Sequence, residues 1–228
     1  TFEGTPHVAT NGSIVVMTTD DPPGSSGPWS YSNRTYPSNE NEIICVRDGY
    51  SLNFSRLVSS PVIRPWKVEL CGRVGSEVIV ASNCLYLAAT RGNDEQMLID
   101  RSQRQRVDNI YILGCETHLI ACFGGSLNLY RVETDTTSAE LLSLKQSVVT
   151  TQEHDAQDRI SVPISWGSDK SSFVCGCGTE SGNEISVWSL DVAKDTLAQM
   201  IVIHCEDDVE IRTIALGDDY VFGAYRDR

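Results

Sequence analysis

Three residues that can ligate zinc stand close together in the middle of the sequence, since Cys115, His118 and Cys122 form a C-x2-H-x3-C string. Thiolate and imidazole are common zinc ligands. The segments around them, NIYILGC (109–115) and HLIACFGG (118–125), have the composition of β-strands. Cys115 would then lie at a strand end and Cys122 inside a strand, so that the three side chains need not converge. We therefore predict no metal and no cofactor.

Two further groups of residues could be interpreted as a redox pair or a hydrolase site. Cys175 and Cys177 are separated by one residue, so on a strand they face the same side and cannot form a CxxC redox pair. Four residues combine acids with a histidine: Glu153, His154, Asp155 and Asp158. A solvated loop explains these four without a hydrolase site, and the sequence has no G-x-S-x-G, P-loop or H-E-x-x-H motif. The sequence thus predicts a protein that is not an enzyme.

The charge balance bears on the kind of partner. The 31 acids outnumber the 18 bases, which gives a net charge of −13 and disfavours contact with a phosphate backbone. The densest basic run, RSQRQR (101–106), lies beside no aromatic cluster, and the acids gather in EDDVE (206–210). We expect a protein partner and no nucleic acid, because a basic protein fits this charge balance better than DNA or RNA. No stretch approaches the ~18 apolar residues of a membrane span, so we also expect no membrane contact.

Cysteine usage leaves two localisations open. The eight cysteines and the sequons at Asn11, Asn33 and Asn53 would suit a secreted, glycosylated chain. However, four of the cysteines lie inside apolar runs, where a free thiol behaves as a small hydrophobic residue: Cys45, Cys84, Cys122 and Cys205. We predict a cytoplasmic or nuclear protein, with secretion as the alternative.

The elements that must position these residues are almost all strands. Apolar or alternating runs of five to eight residues recur along the chain, bounded by Gly, Asn, Asp or Ser. Clear examples are EVIVASN (77–83), SLNLYRV (126–132) and EISVWSLD (184–191). Only SAELLSLKQ (138–146) and DVAKDTLAQM (191–200) have a helix-compatible composition, and each is short enough to be a strand or a turn. The predicted fold class is all-β.

Paired strands repeat along the sequence as HLIACFGG-SLNLYRVETD, SFVCGCGTESG-NEISVWSLD and EIRTIALGDD-YVFGAYRDR. NEISVWSLD resembles the strand of WD-repeat β-propellers that ends in Trp-Asp, although Ser189 and Leu190 separate Trp188 from Asp191 and no Gly-His dipeptide occurs. HLIACFGG, with Gly124 and Gly125, resembles the kelch type of propeller. SWGSDKSSF (165–173) faintly resembles the Asp-box of sialidase propellers.

The resemblance implies a single β-propeller domain over residues 1–228, with four to five blades of four antiparallel strands each. Closed propellers usually have six to eight blades, so we expect an incomplete ring that absent residues or another chain would complete. Trp188 is expected to pack between neighbouring blades. The segment 22–40, rich in proline, is expected to form a surface loop.

The function that fits this architecture is a scaffold that recruits a protein partner within a larger complex. The alternatives are a secreted, glycosylated propeller that binds a receptor or a glycan, and a propeller hydrolase. On the 22–40 loop, Trp29, Tyr31 and Arg34 are of the residue types that anchor interfaces. By resemblance to WD-repeat proteins, the joints after the second strand of each blade supply further candidates: Arg91, Asn93, Asp94, Glu180, Arg226 and Asp227.

Overall fold

The computed structural model of the chain describes residues 6–10, 14–19, 43–47, 50–54, 68–74, 77–83, 86–91, 94–100, 110–123, 126–135, 137–149, 164–179, 182–205 and 209–227. These residues form eighteen strands and no helix, which confirms the all-β prediction. Consequently no helix in this part of the chain is long and apolar enough to cross a membrane.

The strands form five antiparallel sheets, each made of consecutive strands that pair in chain order. Sheet I contains β1 (Pro6–Thr10), β2 (Ile14–Thr19), β3 (Ile43–Arg47) and β4 (Tyr50–Phe54). Sheet II contains β5 (Val68–Val74), β6 (Glu77–Asn83), β7 (Tyr86–Arg91) and β8 (Asp94–Asp100). Sheet III contains β9 (Tyr111–Gly114), β10 (His118–Phe123), β11 (Ser126–Val132) and β12 (Leu142–Val149). Sheet IV contains β13 (Ile164–Trp166), β14 (Ser172–Thr179), β15 (Gly182–Asp191) and β16 (Thr196–His204), and sheet V contains β17 (Val209–Leu216) and β18 (Val221–Asp227).

Both segments with a helix-compatible composition turn out to be strands. The first supplies β12, which pairs with β11, and the second supplies a turn followed by β16, which pairs with β15. Local propensity is a weak preference that a partner strand can override. Here the neighbouring strand provides the backbone hydrogen bonds, so the extended conformation prevails.

Sheet III packs face to face with two neighbouring sheets. This packing explains why the sequence of β10 is apolar throughout and does not alternate. Leu119 and Ala121 join the core shared with sheet II, whereas Ile120 and Cys122 join the core shared with sheet IV. Successive side chains of a strand point to opposite faces, so a strand buried on both faces needs apolar residues at every position. Sheet III is therefore sandwiched between two other sheets.

The first strands of successive sheets also contact one another: β1 with β5, β5 with β9, β9 with β13, and β13 with β17. Glycines permit the closest of these approaches. A Cβ at Gly72 would lie 2.7 Å from the carbonyl oxygen of Glu116, and a Cβ at Gly114 would clash with the backbone of Leu70. The first strands of successive sheets thus lie side by side.

Trp188 packs between sheets III and IV, as predicted, and it is 4% exposed. Its ring stacks on Phe173 with centroids 6.4 Å apart and planes 12° apart. Phe173 in turn meets Trp166 edge-on at 5.7 Å. A bulge between Val187 and Trp188 shifts the pairing with β16 by one residue. The tryptophan that stands out in the sequence is therefore a core residue.

Candidate functional site

A tight turn between β9 and β10 brings polar side chains together at one end of sheet III. The backbone N–H of Cys115 donates to the carbonyl oxygen of His118 at 2.9 Å, which leaves Glu116 and Thr117 exposed at the corners of the turn. Cys115 is half-buried, and His118 is 1% exposed. The turn therefore places a thiol and a hydroxyl at the surface, directly before a buried imidazole.

These side chains form a continuous line of polar contacts. The Cys115 Sγ lies 3.6 Å from the Thr117 Oγ1, which lies 2.9 Å from Nδ1 of His118. On the other side of the ring, Nε2 of His118 lies 3.0 Å from Oδ1 of Asp195. Asp195 also accepts a hydrogen bond of 2.9 Å from Nη1 of Arg131. We call these five residues the turn cluster.

Asp195 reaches the turn cluster from a different sheet. It lies in the turn between β15 and β16 and has a positive φ of 54°, which aspartate tolerates better than most residues. The carboxylate of Asp191 organises this turn by accepting hydrogen bonds from the backbone N–H groups of Ala193 (3.1 Å) and Lys194 (3.2 Å). The contact between Asp195 and His118 therefore links sheet IV to sheet III.

The contacts shift the protonation of all three ionisable groups at the centre of the cluster. Burial raises the pKa of the Cys115 thiol, but hydrogen bonds from His118 and Thr117 outweigh burial and leave the pKa below its ordinary value. Burial likewise opposes protonation of His118, yet the hydrogen bonds to Cys115 and Asp195 raise its pKa. Hydrogen bonds from His118 and Arg131 lower the pKa of Asp195 despite its partial burial. Each shift makes the charged form easier to reach than in the free group: the thiolate of Cys115, the imidazolium of His118 and the carboxylate of Asp195.

A small cleft of about 100 Å³ adjoins the turn cluster. Its lining consists of Glu116, Thr117, His118, Arg131, Val132, Thr134 and Val192. A cleft of this volume holds a ligand of only a few atoms. Of the turn cluster, Thr117, His118 and Arg131 line this cleft. A thiol, an imidazole and a carboxylate joined in one line form the kind of set in which a base and an orienting acid activate a nucleophile.

Cys122, the third member of the C-x2-H-x3-C string, does not join the turn cluster. It is buried between sheets III and IV, with its Sγ 3.6 Å from the Sγ of Cys175. The string therefore divides between two places, as the strand interpretation predicts. Within the described residues, no three His, Cys, Asp or Glu side chains are grouped so that they could hold a metal ion.

A second notable surface lies on β16, the last strand of sheet IV. Four consecutive apolar residues are exposed there: Met200 at 63%, Ile201 at 55%, Val202 at 39% and Ile203 at 38%. Ile201 and Ile203 lie opposite Val187 and Ile185 and so share the face that packs on sheet V. In the part of the chain that the structure describes, sheet V has two strands, and its main contacts with sheet IV fall on β13, β14 and β15. The outer strand therefore extends beyond it.

Five of the residues predicted to bind a partner lie outside the described residues: Trp29, Tyr31, Arg34, Asn93 and Glu180. The loop predicted at 22–40 lies outside them as well. Arg91 is 2% exposed, donates from Nη2 to the carbonyl oxygen of Ser138 at 3.2 Å, and lies 3.8 Å from the exposed carboxylate of Asp94. Arg91 thus holds the end of β7 to the connection that precedes β12 of sheet III. The partner-binding role of all these residues stays a prediction.

The strand positions assigned to several of these residues are corrected. Arg91 and Asp94 bound the turn between β7 and β8, the third and fourth strands of sheet II, because β5 and β6 precede them. Glu180 falls between β14 and β15, the second and third strands of sheet IV. In an antiparallel sheet these two turns lie at opposite ends, so the candidates do not share one end. Arg226 and Asp227 belong to β18 itself, opposite Glu210 and Val209, and not to a joint.

The sequence indicates Cys115 and His118 of the turn cluster, but not Asp195 or Arg131. The spacing of Cys115 and His118 drew attention to them, but nothing near Asp195 or Arg131 indicated a shared site. Asp195 is 77 positions from His118 along the chain, and only the stacking of two sheets brings them together. The apolar run of β16 can be read from the sequence, but its exposure to solvent cannot.

No protein family and no curated protein matches this chain. Among solved structures, the chain is similar to a protein from Lactobacillus plantarum with a TM-score of 0.50 and 13% identity, over 96% of this chain and 64% of that one. It also matches an α-L-arabinofuranosidase from Podospora anserina, solved with cellotriose, at a TM-score of 0.38 and 9% identity, over 85% and 65% of the two chains. The chain spans less than two thirds of the length of either structure. The first likeness concerns the fold alone, and the second is too low to support a conclusion.

Proposed function

We propose that this protein is a non-enzymatic β-propeller scaffold that binds a protein partner through the outer strand of sheet IV. Support for the propeller comes from four consecutive four-stranded antiparallel sheets whose first strands contact one another in order, and from the cores that sheet III shares with sheets II and IV. The Lactobacillus plantarum protein, which has a propeller-type fold, aligns over nearly the whole chain. The subtype, WD-repeat or kelch, remains part of the proposal.

The observation that carries the binding proposal is the exposed apolar run on β16. Four adjacent large apolar side chains on an edge strand are unusual, because an exposed edge of this kind invites pairing with another chain. An extended partner segment that pairs with β18 at the edge of sheet V could gain backbone hydrogen bonds there and bury the side chains of β16. The residues most suited to this are Ile201 and Ile203, which lie on the face beside sheet V.

Sheet V indicates how the partner would sit. Within the described residues its two strands are half the number found in each of the other sheets, and Phe222 on β18 is 59% exposed. One or two added strands beside β18 would cover Ile201 and Ile203 in the way that β12 and β16 already contact each other. We propose that the partner supplies these strands and so helps to complete the ring.

Charge favours a basic partner. The net charge is −13, the acidic run EDDVE (206–210) follows β16, and Glu184 lies beside His204 at the end of the strand. Electrostatic complementarity of this kind raises association rates and selects partners. A basic extended segment with alternating apolar residues is therefore the proposed ligand.

The test compares the wild type with the double variant Ile201→Glu/Ile203→Glu and with the matched control Leu144→Glu on β12, since Leu144 and Ile201 are each 55% exposed. Each is used to purify partners, and a protein recovered with the wild type is then titrated against all three by calorimetry. We expect the double variant to weaken binding at least about a hundredfold, and the control to retain it. Equal binding by the double variant and the wild type would refute the proposed surface.

A further inference from the structure

We propose that Cys115 is a reactive thiol, activated by Thr117, His118 and Asp195, that is selectively oxidised by hydrogen peroxide. The turn cluster is the basis, and the partner surface on β16 plays no part in it. Two facts define the site: the line of contacts from the Cys115 Sγ to the carboxylate of Asp195, and the partial exposure of Cys115, which leaves its sulfur open to a small reagent.

The contacts supply a path for the thiol proton. In the neutral state, the Cys115 thiol can donate to the Thr117 hydroxyl, and that hydroxyl can donate to Nδ1 of His118. Reversal of both hydrogen bonds moves the proton to the imidazole and leaves a thiolate that accepts from Thr117. Asp195 accepts from Nε2 of His118, and so it orients the ring and stabilises the imidazolium.

His118 is buried away from water, but the Cys115 sulfur remains accessible. His118 is 1% exposed, so its charge is compensated by Asp195 and the thiolate and not by solvent. Thr117 and Glu116 are exposed, and Cys115 is half-buried, so a small reagent can reach the sulfur. Both conditions for a reactive cysteine are met: an electropositive neighbour and partial access.

The titratable and charged groups around the thiol act in both directions, and Cys71 among them is a buried, neutral thiol whose pKa is raised by burial. They come from four elements: Glu69 and Cys71 on β5, Glu116 and His118 at the turn, Arg131 on β11, and Asp195 in the turn between β15 and β16. The acidic groups disfavour a thiolate, whereas His118 favours it and lies nearest in the hydrogen-bonded line. Arg131 pairs with Asp195 and so acts on the thiol only through the carboxylate.

The reaction balances without a cofactor. The thiolate sulfur attacks one oxygen of hydrogen peroxide, an S–O bond forms, and the O–O bond breaks. The leaving hydroxide takes the proton that the His118 imidazolium holds and departs as water. The cysteine is oxidised to a sulfenic acid and the peroxide is reduced.

The experiment measures the alkylation rate of each cysteine with iodoacetamide between pH 5 and pH 10, resolved by peptide mass spectrometry. Cys205 is the internal control, because it is half-buried like Cys115. At pH 7 we expect Cys115 to react about fivefold faster than Cys205, a gain kept modest because nucleophilicity falls as thiol pKa falls. At pH 10, where thiols are largely ionised, the two rates should approach each other.

Variants separate ionisation from exposure. His118→Asn should slow alkylation of Cys115 at pH 7 about fivefold and leave the rate at pH 10 unchanged. Because His118 is buried and its replacement can destabilise the fold, Thr117→Val is the second variant: it keeps the shape of an exposed side chain and removes the hydroxyl. Cys122 and Cys175 are buried, so their continued resistance to alkylation by iodoacetamide shows that each variant remains folded.

The peroxide step has its own readout. After treatment of the wild type with hydrogen peroxide, dimedone should label Cys115 and spare Cys205. Cys115 reacting no faster than Cys205 at pH 7, or unchanged pH profiles in both variants, would overturn the activation. Fast alkylation without a dimedone adduct at Cys115 would overturn the assignment to peroxide.

Discussion

The contact between His118 and Asp195 should make the stability of the protein depend on pH in a defined direction. The perturbation is Asp195→Asn, which keeps the shape of the side chain and one acceptor oxygen but removes the charge. The imidazole of His118 is buried, and its Nε2 lies 3.0 Å from Oδ1 of Asp195. Loss of the carboxylate thus leaves a buried ring without its charged partner.

The magnitude follows from the two hydrogen bonds that Asp195 accepts. A hydrogen bond between charged groups contributes about 1.5–3 kcal/mol, and the bond from His118 is of this kind. The side chain of Arg131 is 52% exposed, so its bond to Asp195 is screened by water and adds little. We therefore expect Asp195→Asn to lower the free energy of unfolding by about 2 kcal/mol where His118 is protonated.

The pH dependence has a fixed sign. The pKa of folded His118 is raised above its ordinary value of 6.5, so the stabilisation from its charged form is fully present below pH 6.5 and is lost as pH rises through the folded value. The pKa of folded Asp195 is lowered from 3.8, so the carboxylate stays charged throughout the range from pH 5 to pH 9. The penalty of Asp195→Asn should accordingly be larger at pH 5.5 than at pH 9.

The assay is urea unfolding of both proteins at these two pH values, followed by tryptophan fluorescence. The matched control is Asp191→Asn in the same turn, because Asp191 pairs with Lys194, whose side chain is 76% exposed, and asparagine can still cap the turn. The control should show little change at either pH. A penalty for Asp195→Asn that is equal at both pH values, or larger at pH 9, would refute the reasoning.

Three further predictions concern the packing between sheets. Gly114→Ala should destabilise the protein by about 2–3 kcal/mol in urea unfolding, because the added Cβ meets the backbone of β5, which cannot rotate away; a neutral result would contradict the close approach. Phe173→Ala should lower the free energy of unfolding by about 4 kcal/mol, whereas Phe222→Ala, at a 59% exposed position, should change it by no more than about 0.5 kcal/mol. Similar losses in the two variants would show that sheets III and IV do not share a core. Mild oxidation with copper phenanthroline should join Cys122 to Cys175, whose sulfurs lie 3.6 Å apart, with peptide mapping as the measurement; recovery of both as free thiols would count against that geometry.

Much of the secondary structure could be predicted from local pattern. β6 and β11 have the predicted bounds, and most other strands lie within a few residues of theirs. The sequence left two segments open, those that supply β12 and β16, because their composition also suits a helix; pairing with a neighbouring strand decides them. A propensity acts on one segment, whereas a sheet hydrogen bond depends on where another segment lies.

The assignment of strands to sheets was less predictable, with consequences for the site. The sequence predicted that CLYLAAT is the second strand of its unit, yet β7 is the third, so Arg91 and Asp94 move to the other end of the sheet. Consecutive strands of similar composition carry no mark of where one sheet ends and the next begins. The connection lengths and the stacking of the sheets decide this.

The sequence by itself determined the fold class, the burial of Trp188 and the separation of Cys122 from Cys115, since each depends on strand periodicity, which is local. Only the tertiary structure decided that Asp195 and Arg131 meet His118, because those residues lie on different strands and, for Asp195, on a different sheet. It also decided that the apolar run of β16 is exposed, although its composition is that of a buried strand. Composition sets which residues can be buried, but the neighbouring sheet determines which of them are.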